Sequence, residues 1–394
     1  MKHFKIIFKV LLSLSAAFLA STARADQTFT AEYLDSVEVS LLTCQPHDEI
    51  YSLYGHTALR WHDLHDEETD IAFNWGVFNF KAPHFVARFV FGLTDYELGG
   101  FPFSIFQKEY RHYGSMVTEQ VLNLTSDEKQ QVYNALCVNM LPENAVYRYN
   151  YFYNNCTTQA RDIIERCING KIEYAGGEDV TGSYRSTIHK MTERHPWARF
   201  GNDLLLGIKA DMQTTRRQQE FLPDHLMYDF DHARICHDGQ YRPLVKERRV
   251  VVPPGVQTVQ HGFPLSPLQC GIILAGVAII LFAVQWRTRR IFLLWDVALM
   301  VVTGTFGIVL FLMLFSQHPT VSVNLQFLLL NPLPWLYLWP VVRHRPTRYW
   351  SITAVLAVLF LVGGCFQSYA AGIQAIALCL LLQCFLHLKS RRTA

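Results

Sequence analysis

The sequence predicts an α+β protein in two parts, an exported domain of strands and helices followed by a bundle of about five membrane helices. Three observations lead to this prediction. The first residues have the layout of a secretory signal, the chain after Leu268 is almost free of charge over long runs, and basic residues recur only on alternate loops between those runs. The 394 residues suffice for about two domains.

The N-terminus has the three regions of a signal peptide. Lysines within the first nine residues form a positive n-region, an apolar core runs from Val10 to Ala20, and Ala23-Arg24-Ala25 supplies small residues for cleavage. The apolar core is too short to span a bilayer, so cleavage is favoured over anchoring. Residues 1–25 are therefore predicted to be a signal peptide. The domain that follows is expected in an oxidising compartment that permits disulfides.

The apolar stretches of the second half read as membrane spans. Clusters of arginine or lysine follow the first, third and fifth stretches, whereas the loops after the second and fourth carry neither residue. The positive-inside rule makes the basic loops cytoplasmic, so the protein is predicted to be a multi-pass inner-membrane protein with its C-terminus in the cytoplasm. The predicted spans are residues 268–286, 291–315, 324–342, 352–367 and 373–388.

The outer loop between the second and third spans is rich in polar residues and prolines. His318 lies in this loop beside Pro319, and Asn324 and Asn331 follow in the outer part of the third predicted span, beside Pro332. Unwound backbone at membrane depth must face protein or water. The loop is therefore either a re-entrant turn with ordinary helix breakers or a polar pocket, and in the second case these three residues are the candidate substrate-binding residues.

The exported part is predicted to be a mixed domain over residues 26–240, joined to the spans at 268–394 by a linker at 241–267. The pair Thr125 and Glu128 forms a capping box that opens a helix. A second helix is expected after Asn155, with Gly170 as its C-cap. Alternating apolar and polar residues predict strands at 37–42, 58–61, 71–78 and 146–153.

Cys156 is the cysteine with the most distinctive setting. It lies where the aromatic segment Tyr151-Phe152-Tyr153 gives way to the predicted helix. The helix N-terminus favours thiolate, and its free N–H groups could bind the oxyanion that forms when a thiolate attacks a carbonyl. The alternative is a structural or disulfide-bonded thiol. The other cysteines of the exported domain, which read as small apolar side chains or disulfide partners, are Cys44, Cys137, Cys167 and Cys236.

A thiolate nucleophile needs a base, and the chain contains 16 histidines. His56 is favoured because Tyr54-Gly55-His56 enters a predicted strand after a turn, which would hold the imidazole rigidly. Asn74 lies on the next strand and could orient that imidazole. A lone histidine before a strand is more often a structural residue, so the assignment of His56 and Asn74 depends on the family resemblance described next.

Three segments carry a family resemblance. Residues 54–60, 73–80 and 151–158 resemble the N-terminal periplasmic domain of Lnb-type lipoprotein N-acyltransferases, and the outer loop at 316–333 looks like the membrane part of that family. The order of histidine, polar residue and cysteine is similar to that of circularly permuted papain-like enzymes, including the lecithin:retinol acyltransferase group. Such relatives often carry a histidine at the position of Asn74. The resemblance implies a nucleophile at Cys156 and a base at His56.

The resemblance also implies the reaction and its partners. A fatty acyl chain would move from a phospholipid donor to the α-amine of a diacylglyceryl lipoprotein acceptor, with no cofactor. No metal is predicted either, because the histidine- and acid-rich clusters at 62–67 and 225–237 lack the compact spacing of a zinc or calcium site. A net charge of +2 argues against a nucleic-acid partner. Phenylalanines at 85, 89, 91, 101, 103 and 106 suggest a lid that dips into the outer leaflet, a groove for an acyl chain, or ordinary core packing. The alternatives are a membrane-anchored cell-wall cysteine peptidase or amidase of the NlpC type, and a non-enzymatic membrane scaffold.

Overall fold

The computed structural model describes residues 27–78, 83–84, 87–88, 91–174, 182–257 and 262–393. The predicted signal peptide lies outside these residues. The described chain forms two compact units. The sheet unit contains residues 27–78, 83–84, 93–174 and 214–257, and the membrane unit contains residues 87–88, 91–92, 182–213 and 262–393.

The sheet unit is built on a seven-stranded antiparallel sheet. Its strands are β1 (Val37–Cys44), β2 (His56–Asp63), β3 (Asp70–Val77), β4 (Asp95–Pro102), β5 (Val117–Leu122), β6 (Val146–Arg148) and β10 (Val245–Val252). A smaller sheet contains β7 (Lys171–Tyr174), β8 (Ala233–His237) and β9 (Gln240–Pro243). The strand order is β10-β5-β1-β2-β3-β4-β6 in the large sheet and β7-β8-β9 in the small one.

Helices cover both faces of the large sheet, because alternate strand residues point to opposite sides. Leu59 and Trp75 face one core, whereas Ala58 and Ala72 face a second core. The helices of the sheet unit are α1 (Ala31–Asp35), α2 (Phe103–Tyr113), α3 (Ser126–Met140), α4 (Pro142–Ala145), α5 (Cys156–Cys167), α8 (Arg216–Gln219) and α9 (Pro223–His232). Helices α3, α5 and α9 contribute to the first core and α2 to the second.

The two predicted helix starts are confirmed. The Thr125 hydroxyl accepts the N–H of Glu128, and the Glu128 carboxylate accepts the N–H of Thr125, which completes the capping box of α3. Asn155 caps α5. The predicted C-cap of α5 is wrong, because the helix ends on Ile168 in an extended conformation. Gly170 lies beyond this end, with a φ of +114°, against the carbonyl of Cys236.

Two other boundaries differ from the prediction. The predicted strand at 146–153 stops at Arg148, because the chain then turns and the N–H of Asn154 donates to the carbonyl of Asn150 at 2.8 Å. The predicted linker at 241–267 instead contains most of β9 and all of β10. Strand β10 was overlooked because its centre is charged, and Arg249 on this strand forms ion pairs with Glu119 and Glu38.

The membrane unit contains five apolar segments at the predicted positions. Three of them are long and apolar enough to cross a membrane, and two are shorter apolar helices. The helices are α10 (Pro267–Thr288), α11 (Leu293–Met313), α12 (Leu333–Val342), α13 (Tyr349–Gly363) and α14 (Gln374–Thr393). A 3-10 turn at Leu325–Leu328 precedes α12 and extends the third apolar segment.

Residues 182–213 belong to the membrane unit, although the sequence assigned them to the exported domain at 26–240. They form α6 (Tyr184–Met191) and α7 (Pro196–Leu205). Arg185, only 2% exposed, is held by Asp203 at 2.8 Å and Asp211 at 2.9 Å. A buried guanidinium requires such partners, which are distant in sequence.

Candidate active site

Cys156 is the first residue of α5, and Asn155 fixes its position. The amide oxygen of Asn155 accepts the N–H groups of Thr157 and Thr158, each at 3.0 Å. Its amide nitrogen donates to the carbonyls of Tyr151 at 2.9 Å and Phe221 at 2.8 Å. One buried side chain therefore joins the helix start to two other segments and holds the cysteine backbone in place.

His56 and Asn74 meet at one end of the sheet. His56 is the first residue of β2, and Asn74 lies on β3 opposite Ala58. The imidazole Nε2 of His56 and the amide Oδ1 of Asn74 are 2.7 Å apart. Because an amide oxygen only accepts hydrogen bonds, Nε2 carries the hydrogen and Nδ1 is left to face the thiol. Asn74 thus selects the tautomer of His56 that can take a proton from Cys156.

The thiol and the imidazole shift each other's pKa. Burial raises the pKa of Cys156, but the charge and hydrogen bond of His56 outweigh burial, and the pKa of the thiol is lowered. Burial lowers the pKa of His56, yet the thiolate charge, its hydrogen bond and Asn74 outweigh burial and raise it. Both shifts favour a thiolate–imidazolium pair.

Two threonines add to this effect. The backbone N–H of Thr57 donates to the sulfur of Cys156, which further lowers the pKa of the thiol. The hydroxyls of Thr57 and Thr157 are 3.1 Å apart, and the Thr157 hydroxyl lies 3.9 Å from the sulfur. Sequence reasoning missed both residues, although each is the immediate neighbour of a predicted catalytic residue.

The N-terminus of α5 offers fewer free donors than the sequence suggested. The N–H groups of Thr157 and Thr158 are occupied by Asn155, and the N–H of Asn155 donates to the Thr158 hydroxyl at 2.9 Å. Within the described part of the chain, the N–H of Cys156 is the first-turn donor without an acceptor. An oxyanion beside the sulfur would therefore meet this single N–H rather than a cluster.

Tyrosines surround the thiol. Burial raises the pKa of Tyr96 to about 12 and that of Tyr147 still further, with the Cys156 charge adding to both shifts. The rings of Tyr96 and Tyr149 stack at 4.2 Å. These side chains keep their hydroxyl hydrogens and put no negative charge beside the thiolate. The tyrosines whose pKa is raised in part by the Cys156 charge are Tyr96, Tyr110, Tyr147, Tyr149 and Tyr151.

Gly76 leaves room for the imidazole. A Cβ at this position would lie 3.1 Å from Cε1 of His56 and 3.2 Å from Oδ1 of Asn74. Both distances are shorter than ordinary carbon contacts. Gly76 lies two residues after Asn74, so both residues are on the same face of β3. This spacing in the sequence could have identified the glycine.

The other thiols differ from Cys156. Burial raises the pKa of Cys44, Cys137 and Cys167. All nine cysteines are free in the described chain, so none of the disulfides left open by the sequence is formed. The described residues also include no group of three or more histidine, cysteine or acidic residues that could hold a metal ion.

The predicted substrate-binding residues lie together in the membrane unit, but two of them have internal partners. Asn324 is buried, donates to the Leu204 carbonyl at 2.8 Å and accepts from Gln367 at 2.9 Å. Asn331 donates to the Leu328 carbonyl at 3.2 Å and accepts the N–H of Leu333 at 3.1 Å. Both amides stabilise the loop that contains them.

His318 has a different environment. It follows a turn in which its N–H donates to the Ser316 hydroxyl at 3.3 Å. Its ring lies against Gly92, where a Cβ would be 3.2 Å from the imidazole Cδ2. The ring thus packs on a backbone segment of the same unit.

Of the alternatives that the sequence left open for the phenylalanines, core packing applies to two of them. Phe103 and Phe106 are buried in the second core of the sheet unit. They pack beside Tyr110, because the face of α2 that contains these three residues contacts the sheet. Phe85 and Phe89 lie outside the described residues.

Comparison with protein families gives two matches. The model of the Lnb N-terminal periplasmic domain matches residues 25–193, and the model of the Lnb transmembrane domain matches residues 258–393. Comparison with curated proteins and with solved structures gives no match.

The two matches cover both parts of the chain in order. This chain belongs to the family of Lnb-type lipoprotein N-acyltransferases, as the three motifs predicted. It is a membrane protein with a periplasmic domain, and its fold class of a sheet-rich domain followed by a helical membrane region is confirmed. The circularly permuted papain-like topology stays a prediction.

Proposed function

We propose that this protein moves a fatty acyl chain from a phospholipid to the α-amine of a lipoprotein's N-terminal diacylglyceryl-cysteine, through a thioester on Cys156. The observation that carries the proposal is the hydrogen-bonded series of Cys156, His56 and Asn74. Family membership supports the same reaction class. The reaction would take place at the periplasmic face of the inner membrane.

The first half-reaction forms the thioester. Nδ1 of His56 takes the proton of the Cys156 thiol, and the thiolate attacks the ester carbonyl of the phospholipid. The N–H of Cys156 stabilises the oxyanion that develops. The carbon–oxygen bond then breaks, and the leaving alkoxide takes the proton from the imidazolium and departs as a lysophospholipid.

The second half-reaction forms the amide. The neutral α-amine of the acceptor attacks the thioester carbonyl, and His56 takes the proton that the nitrogen loses. The carbon–sulfur bond breaks, and Cys156 leaves as a thiolate beside the protonated imidazole. The free enzyme is thereby restored without a cofactor.

The experiment that tests this function is mass spectrometry of lipoprotein N-terminal peptides. Cells with the protein should contain triacyl species, and cells without it, or with Cys156→Ser, should contain diacyl species. The serine hydroxyl is a much weaker nucleophile than a thiolate, so the variant should be inserted but inactive. An acyl-enzyme adduct on Cys44 or Cys167 would identify a different nucleophile.

Two rival functions make different predictions in the same system. A cell-wall peptidase or amidase would cleave muropeptides, which an acyltransferase should leave intact. A scaffold would give no covalent labelling of Cys156 by a lipid electrophile.

The membrane unit would bind substrate as well as anchor the protein. We retain His318, Asn324 and Asn331 as proposed substrate-binding residues, with His318 contacting a phosphate or the acceptor headgroup and the two asparagines shaping its loop. His318→Ala should reduce transfer while the alkylation rate of Cys156 stays unchanged. Full activity of a chimera in which one unrelated span replaces residues 268–394 would contradict this role.

A further inference from the structure

Exposed apolar side chains gather at one end of the sheet unit. Ile50 is 72% exposed, Tyr51 58% and Val256 95%. We call these three residues the apical patch. Ile50 and Tyr51 lie on the β1–β2 loop, and Val256 follows β10, so residues distant in sequence contribute to one surface.

Ring contacts hold the loop side of the apical patch in place. His47 stacks on Tyr113 at 4.0 Å and meets the Tyr51 ring edge-on at 5.6 Å. The N–H of His47 donates to the Ser52 hydroxyl at 3.1 Å. Tyr51 is therefore held in an outward orientation by an ordered loop.

Backbone contacts hold Val256 beside the same loop. The N–H of Gly255 donates to the carbonyl of Gly114 at 3.0 Å, and the Gln257 amide donates to the carbonyl of Pro46 at 3.0 Å. Gly114 has a φ of +65°, and a Cβ there would lie 2.6 Å from the Val256 carbonyl oxygen. This close approach joins the two chain segments.

The apical patch lies at the catalytic end of the sheet. The loop that carries Ile50 and Tyr51 starts after Cys44 and ends at His56, and these two residues are paired across β1 and β2. A surface that contacts the apical patch is consequently brought near the His56 imidazole.

The short distance along the chain between Val256 and the first membrane helix indicates that the apical patch contacts the membrane surface. Ten residues separate Val256 from Pro267, where the first membrane helix begins. At about 3.5 Å per residue, the chain between them spans at most about 40 Å. Aliphatic and aromatic side chains exposed near a bilayer are the usual composition of a membrane-contacting surface.

We propose that the apical patch inserts into the outer leaflet of the membrane and brings the His56 end of the sheet unit to the phospholipid ester. This inference rests on the proposed function, because it identifies how the donor is presented. The surface recognised is a zwitterionic phospholipid bilayer, since the three side chains of the apical patch carry no charge.

Photo-crosslinking tests this contact without relying on activity. Benzoylphenylalanine would replace Ile50, Val256 or Leu64 in the full-length protein, reconstituted in phosphatidylcholine vesicles that contain an alkyne-tagged lipid. Leu64 is the matched control, because it is 52% exposed but follows β2 at the opposite end of the sheet. Positions 50 and 256 should yield several times more lipid adduct than position 64. Equal adducts at all three positions, or adducts with protein alone at 50 and 256, would overturn the proposal.

A kinetic experiment separates this inference from the proposed function. The double variant Ile50→Ser with Val256→Ser should lower transfer from bilayer phospholipid about tenfold, because less apolar surface is buried. Alkylation of Cys156 by iodoacetamide should keep its rate, and Leu64→Ser should change neither quantity. An unchanged transfer rate in the double variant would contradict the proposal. If the wild type transferred no acyl chain, the crosslinking result would still decide on the membrane contact.

Discussion

The two ends of strand β2 carry a histidine each, but only one end forms a reactive site. His56 begins the strand, and its imidazole lies between Asn74 and the Cys156 thiol. His62 lies near the other end, opposite Asp70 on β3. The same residue type on the same strand thus has two different environments.

The charged turn beyond His62 satisfies its own polar groups. The carboxylate of Asp66 accepts the Thr69 hydroxyl at 2.6 Å and the N–H of Glu68 at 3.0 Å. At the His56 end, by contrast, the helix start at Cys156 supplies a partner from 100 residues further along the chain. A histidine at a strand end therefore becomes a candidate base when a second element brings a complementary group to it.

The largest expected effect is at the reactive end. His56→Ala should lower acyl transfer by about 1,000-fold or more, nearly as much as Cys156→Ser, because the two residues act as a unit. The double variant should be no slower than either single variant. Steady-state transfer rates in vesicles would measure this, and additive losses would show that the two residues act independently.

The pH dependence of thiol reactivity should change with the same variant. In the wild type, alkylation of Cys156 by iodoacetamide should be half-maximal below the usual thiol pKa of about 8.5. In His56→Ala the midpoint should rise, because burial then raises the thiol pKa without a cationic neighbour to lower it. Mass spectrometry of the Cys156 peptide would follow the reaction. An unchanged midpoint would show that the helix start, rather than His56, sets the thiol pKa.

Asn74→Ala should have a smaller effect. It removes the hydrogen bond to Nε2, so the imidazole loses its orientation and one of the contacts that raise its pKa, but it keeps the Cys156 contact. A hydrogen bond of this kind contributes about 1.5–2 kcal/mol, so transfer should fall about 10- to 30-fold. Asn74→His should recover part of the rate, because an imidazole nitrogen can also accept the hydrogen bond from Nε2. A variant with His at this position that is slower than Asn74→Ala would contradict an orienting role.

Gly76→Ala tests the space beside the imidazole. The added methyl group would push His56 or Asn74 by a few tenths of an ångström, so transfer should fall about 3- to 10-fold. Gly100→Ala on β4 is the matched control, because its Cβ would only meet neighbours at 3.6 Å or more. Equal rates for both variants would show that the imidazole is not tightly confined.

The features that the sequence predicted well depend on local signals. The caps at Thr125 and Asn155, and the aromatic segment before Cys156, are all read within a few residues. The membrane segments are equally local, because hydropathy alone identifies them. The placement of His56 beside Asn74 followed from strand neighbours and from the family resemblance together.

The features that it missed depend on distant partners. Strand β10 is charged at its centre, and its Arg249 forms ion pairs with Glu119 and Glu38, which lie more than 100 residues away in the sequence. Residues 182–213 join the rest of the membrane unit through hydrogen bonds to a segment more than 100 residues away: the N–H of Gly207 donates to the Thr320 carbonyl at 2.8 Å, and the Asn324 amide donates to the Leu204 carbonyl at 2.8 Å. The exposure of Ile50 and Val256 is likewise not encoded in their immediate neighbours.

The smallest expected effect lies at the unreactive end of β2. His62→Ala should change transfer by less than about twofold, because this imidazole is far along the strand from Cys156 and has no catalytic partner. Its Nδ1 is buried and has no hydrogen-bond partner among the described residues, so removing the ring also removes an unsatisfied polar group. The thermal midpoint should therefore fall little. Transfer assays on His62→Ala and Asn74→Ala, run side by side, decide which residue orients His56. An inactive His62→Ala together with a fully active Asn74→Ala would reverse the comparison and make His62 the third residue of the site.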